Sequence, residues 1–260
     1  LKVRSMIVTK YNANGNDFII FHDNEKKQRH ELAQLLCDRH AGVGADGMVV
    51  LVPHPDYDFE WEFYNSDGSE ATMCGNATRA VAHYAVEKGI SVDNRAEFLT
   101  GAGVISAEVN GLYVVTDMLA PKILDREIEE EGLLWWLIDT GVPHLVAEVK
   151  DLEDFDLAMA RRLREKYDAN VNIYTIGDDE LRLRTYERGV EDETLACGTG
   201  ITACYTRARE EGKARDLCVV FPRSGEELYM EFKEGHYRFG GKVSKTFIAE
   251  LTLEIPHYLL

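Results

Sequence analysis

The apolar positions of this chain form two successive tracts with the same order of elements. In the first, Met6 to Lys10 is apolar and β-branched, Asn12 to Asp17 is turn-rich, and Phe18-Ile19-Ile20-Phe21 predicts a buried strand. Leu32, Leu35 and Leu36 take helical spacing within His30 to His40. A glycine-rich turn then precedes the strand Met48 to Val52. Phe59, Trp61 and Phe63 alternate with Glu60 and Glu62, the pattern of a half-buried strand. The turn Asn65-Ser66-Asp67-Gly68 leads to Cys74 and an Ala-rich helix that Gly89 stops, and Glu97 to Met118 holds a hairpin around Asn110-Gly111.

The second tract runs the same way. Trp135 to Asp139 predicts a strand, Thr140 to His144 a loop, and Leu145 to Val149 a strand. Asp156 to Tyr167 is a helix with Leu157, Ala160, Leu163 and Tyr167 on one face. Asn170 to Ile176 and Glu180 to Tyr186 are strands, Cys197 opens a helix stopped by Gly212, and hairpins fill Leu217 to Leu251. The two Cys-Gly helix segments align without a gap at an offset of 123 residues. A period of that size is a domain, not a solenoid repeat. The expectation is an α/β (α+β) chain of two pseudo-symmetric halves. Residues 6–118 carry Cys74 and 119–247 carry Cys197, with the acidic, weakly periodic stretch 119–134 as the link. Residues 248–260 form a last β segment returning to the first half.

Composition narrows the function. A net charge of −17 over 260 residues offers no basic stripe for nucleic acid or an anionic membrane. No run reaches the ~20 apolar residues of a membrane span. Leu1 to Ser5 read as additions ahead of a start at Met6, and the polar beginning lacks the apolar core of a secretory leader. Five cysteines without framework spacing predict reduced thiols and a cytoplasmic location.

Several motifs fall away on context. Gly42-Val43-Gly44-Ala45-Asp46-Gly47 fits a dinucleotide fingerprint as a string, but follows a helix and precedes a strand, the reverse of what a nucleotide site needs. Cys37-x-x-His40 supplies only two metal ligands and is explained by helix packing, so no metal is expected. Cys37, Cys204 and Cys218 read as core residues. Cys74 and Cys197 differ, because each opens a helix, precedes Gly and occupies the equivalent place in its repeat. A helix N-terminus offers free backbone N–H groups, attracts anions and lowers a thiol pKa.

If both helix ends served one cleft, a substrate carboxylate would be held by N–H donors with a thiol on each side of its α-carbon. One thiolate would then take the α-proton while the other thiol returned one to the opposite face. That chemistry needs no cofactor. Asn16, Asn65, Asn170, Glu187 and Arg188 lie at loops and strand ends of the two halves, with chemistry suited to a substrate bearing carboxylate and ammonium groups.

The chain resembles the diaminopimelate epimerases, from about Tyr11 to the final hairpins. The resemblance rests on Gly15-Asn16-Asp17-Phe18, Gly42 to Gly47, Phe63-Tyr64-Asn65-Ser66-Asp67-Gly68-Ser69 and Met73-Cys74-Gly75-Asn76. It continues through Pro143-His144, Tyr186-Glu187-Arg188-Gly189 and Ala196-Cys197-Gly198-Thr199-Gly200. It implies, in each half, a mixed or antiparallel sheet wrapped around a central helix. It implies cofactor-independent interconversion of LL- and meso-diaminopimelate, in lysine and peptidoglycan synthesis, with Cys74 and Cys197 as the two bases. Gly75, Asn76, Gly198 and Thr199 match the backbone positions that hold the reacting carboxylate. Asn16, Asn65, Asn170, Glu187 and Arg188 match residues binding the rest of the substrate, and His144 supports the centre.

The implied partner is a small molecule, with a homodimer as the assembly to test. Val142 stands where the family usually has Asn, the stretch from Glu187 to Cys197 is one residue longer than usual, and Asn172 competes with Asn170 for the strand asparagine position. The rival readings are a proline- or histidine-racemase type enzyme on the same fold, and a non-catalytic binding module. The second would be expected to lack one thiol.

Overall fold

The computed structural model describes residues 6–178 and 180–251. The chain divides into two compact units, with boundaries between Thr116 and Asp117 and between Gly241 and Lys242.

In the first unit β1 (Met6–Ala13), β2 (Asn16–His22), α1 (His30–Cys37), β3 (Gly47–Val52), β4 (Phe59–Asn65), α2 (Gly75–Glu87), β5 (Arg95–Thr100), β6 (Gly103–Asn110) and β7 (Tyr113–Asp117) follow in order. The second unit holds β8 (Lys122–Glu130), β9 (Leu133–Asp139), β10 (Pro143–Glu148), α3 (Leu157–Tyr167), β11 (Asn170–Gly177), β12 (Glu180–Glu187) and β13 (Asp192–Thr194). It continues with α4 (Gly198–Glu210), β14 (Leu217–Phe221), β15 (Leu228–Lys233) and β16 (His236–Lys242). The last strand, β17 (Ser244–Leu251), pairs antiparallel with β1 in the first unit.

Each unit is one mixed sheet with the same sequence of pairings. From β17 through β1 to β6 and β7, neighbours run antiparallel, antiparallel, parallel, antiparallel, parallel, antiparallel and antiparallel. The second unit repeats that series from β8 through β9, β10, β11, β12, β14, β15 and β16. Both parallel joints are crossovers through a helix, as parallel neighbours require. The helices take opposite faces. Phe18, Ile20, Val49 and Leu51 pack with α2, whereas Ile19, Phe21, Met48 and Val50 pack with α1. That is why β2 and β3 read as unbroken apolar runs.

Ala77, Ala80, Ala82 and Ala85 of α2 are fully buried. These small side chains let strands β1 to β7 curl around the helix in a single core. In α4 the same role falls to Ala203, Cys204 and Ala208. Cys204 and Cys218 are wholly buried in that core.

Two boundaries differ from the sequence reading. Residues 122–130, expected within a link, form strand β8 against β9, and register shifts at Ile123/Asp125 and Asp125/Ile128 broke the alternation that would have revealed it. The return to the first unit begins at Ser244, ahead of residue 248, because Val243 is already buried in the α2 core. Residues 252–260 of the expected last segment, like residues 1–5, lie outside the described residues. Among the described residues no helix is long and apolar enough to cross a membrane.

Candidate active site

Cys74 and Cys197 are the N-cap residues of α2 and α4, both in extended backbone (φ −154° and −127°), and both helices run for 13 residues. The helices also end alike. Gly89 and Gly212 have φ of 68° and 71°, and Ile90 and Lys213 N–H donate back to Ala85 and Ala208 carbonyls. Positive φ favours Gly at these stops. Neither helix has a side-chain cap bond at its N-terminus, an end whose first-turn N–H groups lack helical partners and attract an anion.

The first unit gathers its candidates at one end of its sheet. Asn16 opens β2 and Asn65 closes β4, opposite Gly47 at the start of β3. The Cys74 thiol donates to Asn16 Oδ1 at 3.7 Å. Asn16 Nδ2 donates to Asp46 Oδ2 at 2.8 Å, and Ser66 N–H donates to the Asp46 carbonyl at 3.0 Å. Asp46 thus joins the two asparagine turns, while Asn65 Nδ2 reaches Ser69 Oγ at 3.0 Å. Arg39 bridges both Asp17 oxygens and Asp46. Burial opposes ionisation of Asp17, but bonds from Arg39 and Lys10 outweigh it and hold the carboxyl well below the usual range.

The glycine string is therefore a structural junction. A Cβ at 42 would lie 2.2 Å from the Leu35 carbonyl oxygen, and Gly44 takes φ 79°. Asp46 was missed as a site neighbour because in sequence it reads as one turn residue among glycines.

In the second unit His144 pairs in register with Asn170 at the corresponding sheet end, and Glu187 follows the Val171–Tyr186 pair at the end of β12. His144 is fully buried, with Asn172 Nδ2 at 3.0 Å from Nδ1 and Asn170 Nδ2 at 3.4 Å from Nε2. Burial pushes its pKa down to about 3, helped by the charge of Arg188 and opposed by Asn172. The ring is neutral at physiological pH.

Asn172 spends its groups inside the protein, donating to the Leu145 carbonyl and accepting from Thr185 Oγ1. Asn170 instead sits beside the Arg188 turn, accepting its backbone N–H at 2.8 Å and donating to the Pro143 carbonyl. The Arg188 guanidinium is held by the Asp168 carbonyl and carboxylate at 2.8 and 3.0 Å. Asp168 carries no motif that would have flagged it, and Asn172, the competing candidate for the strand asparagine, is turned inward.

Cys197 is 8% exposed. Its sulfur lies 3.3 Å from Thr199 Oγ1, and the backbone N–H groups of Thr199 and Gly200 favour its thiolate. Burial and the Glu187 carboxylate work against them, pushing the thiol from 9.0 up to about 12. The rise corresponds to ~4 kcal/mol, against the ~0.3–2 kcal/mol a helix end supplies. The lowering expected from helix position is thus overturned at Cys197, because burial costs more. Glu187 is itself raised by burial, eased by hydrogen bonds with Thr194 and Cys197.

The diaminopimelate epimerase family pattern matches residues 8–122 and 136–244 of this chain. The chain belongs to the diaminopimelate epimerase family. It is 56% identical to the diaminopimelate epimerase of a Nitratiruptor species over 243 residues, covering 93% of this chain and 97% of the relative. Identity to the Campylobacter lari diaminopimelate epimerase is 49% over 242 residues, with the same coverage. Among solved structures, a phenazine biosynthesis protein of the PhzF family from Enterococcus faecalis aligns with TM-score 0.74 at 17% identity. It covers 96% of this chain and 100% of that one, a likeness of fold alone.

Proposed function

We propose that this epimerase-family chain interconverts LL- and meso-diaminopimelate without a carbonyl cofactor, using Cys74 and Cys197 as the two bases. The observation that carries the reading is the matched placement of both thiols. Each caps a 13-residue helix at the equivalent point of its unit, with no side-chain cap bond at the helix end. The membership of the chain in the family supplies the substrate.

The chemistry requires both helix ends to meet one substrate. N–H groups of Gly75 and Asn76, and of Gly198 and Thr199, hold the reacting carboxylate and stabilise the enolate-like charge formed when the α-proton leaves. A thiolate takes that proton, the electron pair passes into the carboxylate, and the opposite thiol delivers a proton to the other face. Burial keeps Cys197 protonated in the free chain, which suits it to be the initial acid and Cys74 the initial base. The pair titrates as one system. Asn16, Asn65, Asn170, Glu187 and Arg188 select the remainder of the substrate, with Arg188 suited to the distal carboxylate. Neutral His144 supports the Cys197 side through its asparagine contacts.

A homodimer is the assembly to test, and reduced thiols suit a cytoplasmic location. The direct assay incubates reduced protein with LL-diaminopimelate, L-proline or L-histidine and resolves stereoisomers by chiral chromatography. Meso-diaminopimelate should form while the other two stay unchanged. Racemised proline or histidine with inert diaminopimelate would transfer the chemistry to another amino acid.

A further inference from the structure

Arg79, five residues into the Cys74 segment, is fully buried beneath the first turn of α2. Its Nη1 donates to the Gly75 carbonyl at 3.1 Å. Its Nη2 donates to Asn76 Oδ1 at 2.6 Å and to Asn14 Oδ1 at 3.0 Å. Asn14 stands in the β1–β2 turn with φ 58°, two residues before Asn16, whose Oδ1 accepts from the Cys74 thiol. One guanidinium therefore clamps the helix end to the turn that carries Asn16.

The second unit has a clamp at the matching place, built from neutral groups. Thr140 precedes Gly141 as Asn14 precedes Gly15, and its Oγ1 donates to the Thr199 carbonyl at 3.2 Å. The residue in the position of Arg79 is Thr202, whose Oγ1 donates to the Gly198 carbonyl at 2.9 Å. Both units thus tie their hairpin turn to their Cys-Gly helix end, but only the first uses a buried charge. Core packing does not ask for it: the neighbouring helix positions Ala77, Ala80 and Val81 are apolar, and a buried charge is costly to desolvate.

We infer that Arg79 is a positioning residue, holding the Gly75–Asn76 donors, the Cys74 thiol and the Asn16 turn in one register for the reaction. The inference rests on the epimerase reading above. The carboxylate is held in ground and transition states alike, but its charge grows as the enolate forms. Misaligned donors therefore cost the transition state more than the ground state. Displacements on the order of 1 Å lower rates about 100-fold.

The test uses the full reduced chain with Arg79→Met and Arg79→Lys, each compared with the parent by thermal melting. Arg79→Met should lower kcat for diaminopimelate ~100-fold, with KM changed less than about threefold. Arg79→Lys, keeping charge but losing the fork, should recover part of the loss. A folded Arg79→Met chain with kcat within threefold of the parent, or a loss confined to KM, overturns the inference. Should Arg79→Met not fold, Arg79→Lys and Asn14→Ala decide it, and parent-like kcat in both refutes it.

A parent chain inert toward diaminopimelate would instead sink the proposed function, leaving Arg79 to be judged without substrate. In a Cys197→Ala background, alkylation of Cys74 by iodoacetamide should slow about tenfold with Arg79→Met, as the thiolate loses its aligned N–H groups. A parent-like or faster rate overturns the inference.

Discussion

Gly200 and Asn172 leave no room between them: a Cβ at position 200 would lie 2.5 Å from Asn172 Oδ1, and 3.4 Å from His144 Cε1. The first turn of α4 is therefore seated directly on the buried His144–Asn172–Thr185 cluster. Gly200→Ala should destabilise the chain by about 1–3 kcal/mol through overpacking. It should also lower kcat, because the turn it lifts carries the Thr199 donor. Unchanged melting and turnover would show that the seat has no role.

The two thiols are not interchangeable with packing. Cys74→Ala and Cys197→Ala should each reduce inversion of LL-diaminopimelate by at least ~1000-fold, an alanine removing one proton carrier outright. Circular dichroism melts of both variants should stay near the parent. Retention of most activity in either would refute the two-base assignment.

His144 makes stability depend on pH in a definite direction. Its folded pKa is depressed from 6.5 to about 3, so below about pH 6.5 the unfolded chain binds a proton that the folded chain refuses. The contribution is complete above that pH and is lost as pH falls, at ~1.4 kcal/mol per pH unit down to about pH 3. Denaturant titrations of His144→Gln between pH 4 and 6 should show about one proton fewer taken up on unfolding. An identical slope would place the histidine in solvent contact.

By the resemblance read in the sequence, Val142 stands where an asparagine is expected. Val142→Asn should lower KM for diaminopimelate about fivefold, the worth of one hydrogen bond near 1 kcal/mol. A KM unchanged or raised would show that this position does not face the distal end of the substrate.

The repeat was legible because its landmarks are local: a cysteine before glycine, an alanine-rich helix and a glycine stop all signal within one segment. Cys74 and Cys197 follow from those landmarks, whereas Asn16, Asn65 and Asn170 follow from their places at loops and strand ends and from the resemblance. What escaped depends on tertiary placement. Arg79 reads as one polar position on a helix, and nothing local says it is turned inward beneath Gly75 and Asn76. The raised Cys197 thiol follows from burial, which periodicity does not report. Strand β8 was hidden by its bulges, since a shifted register destroys the alternation that marks a strand.

The central claim is that two different groups handle the two faces of one α-carbon. LL-diaminopimelate turned over by the reduced chain in D2O, sampled at under about a tenth of conversion, tests it most directly by mass spectrometry. Two bases predict meso product carrying one deuterium at the inverted carbon, with unreacted LL substrate still protiated. Meso product that retains the original hydrogen would mean a single base returning its own proton, and would contradict the account.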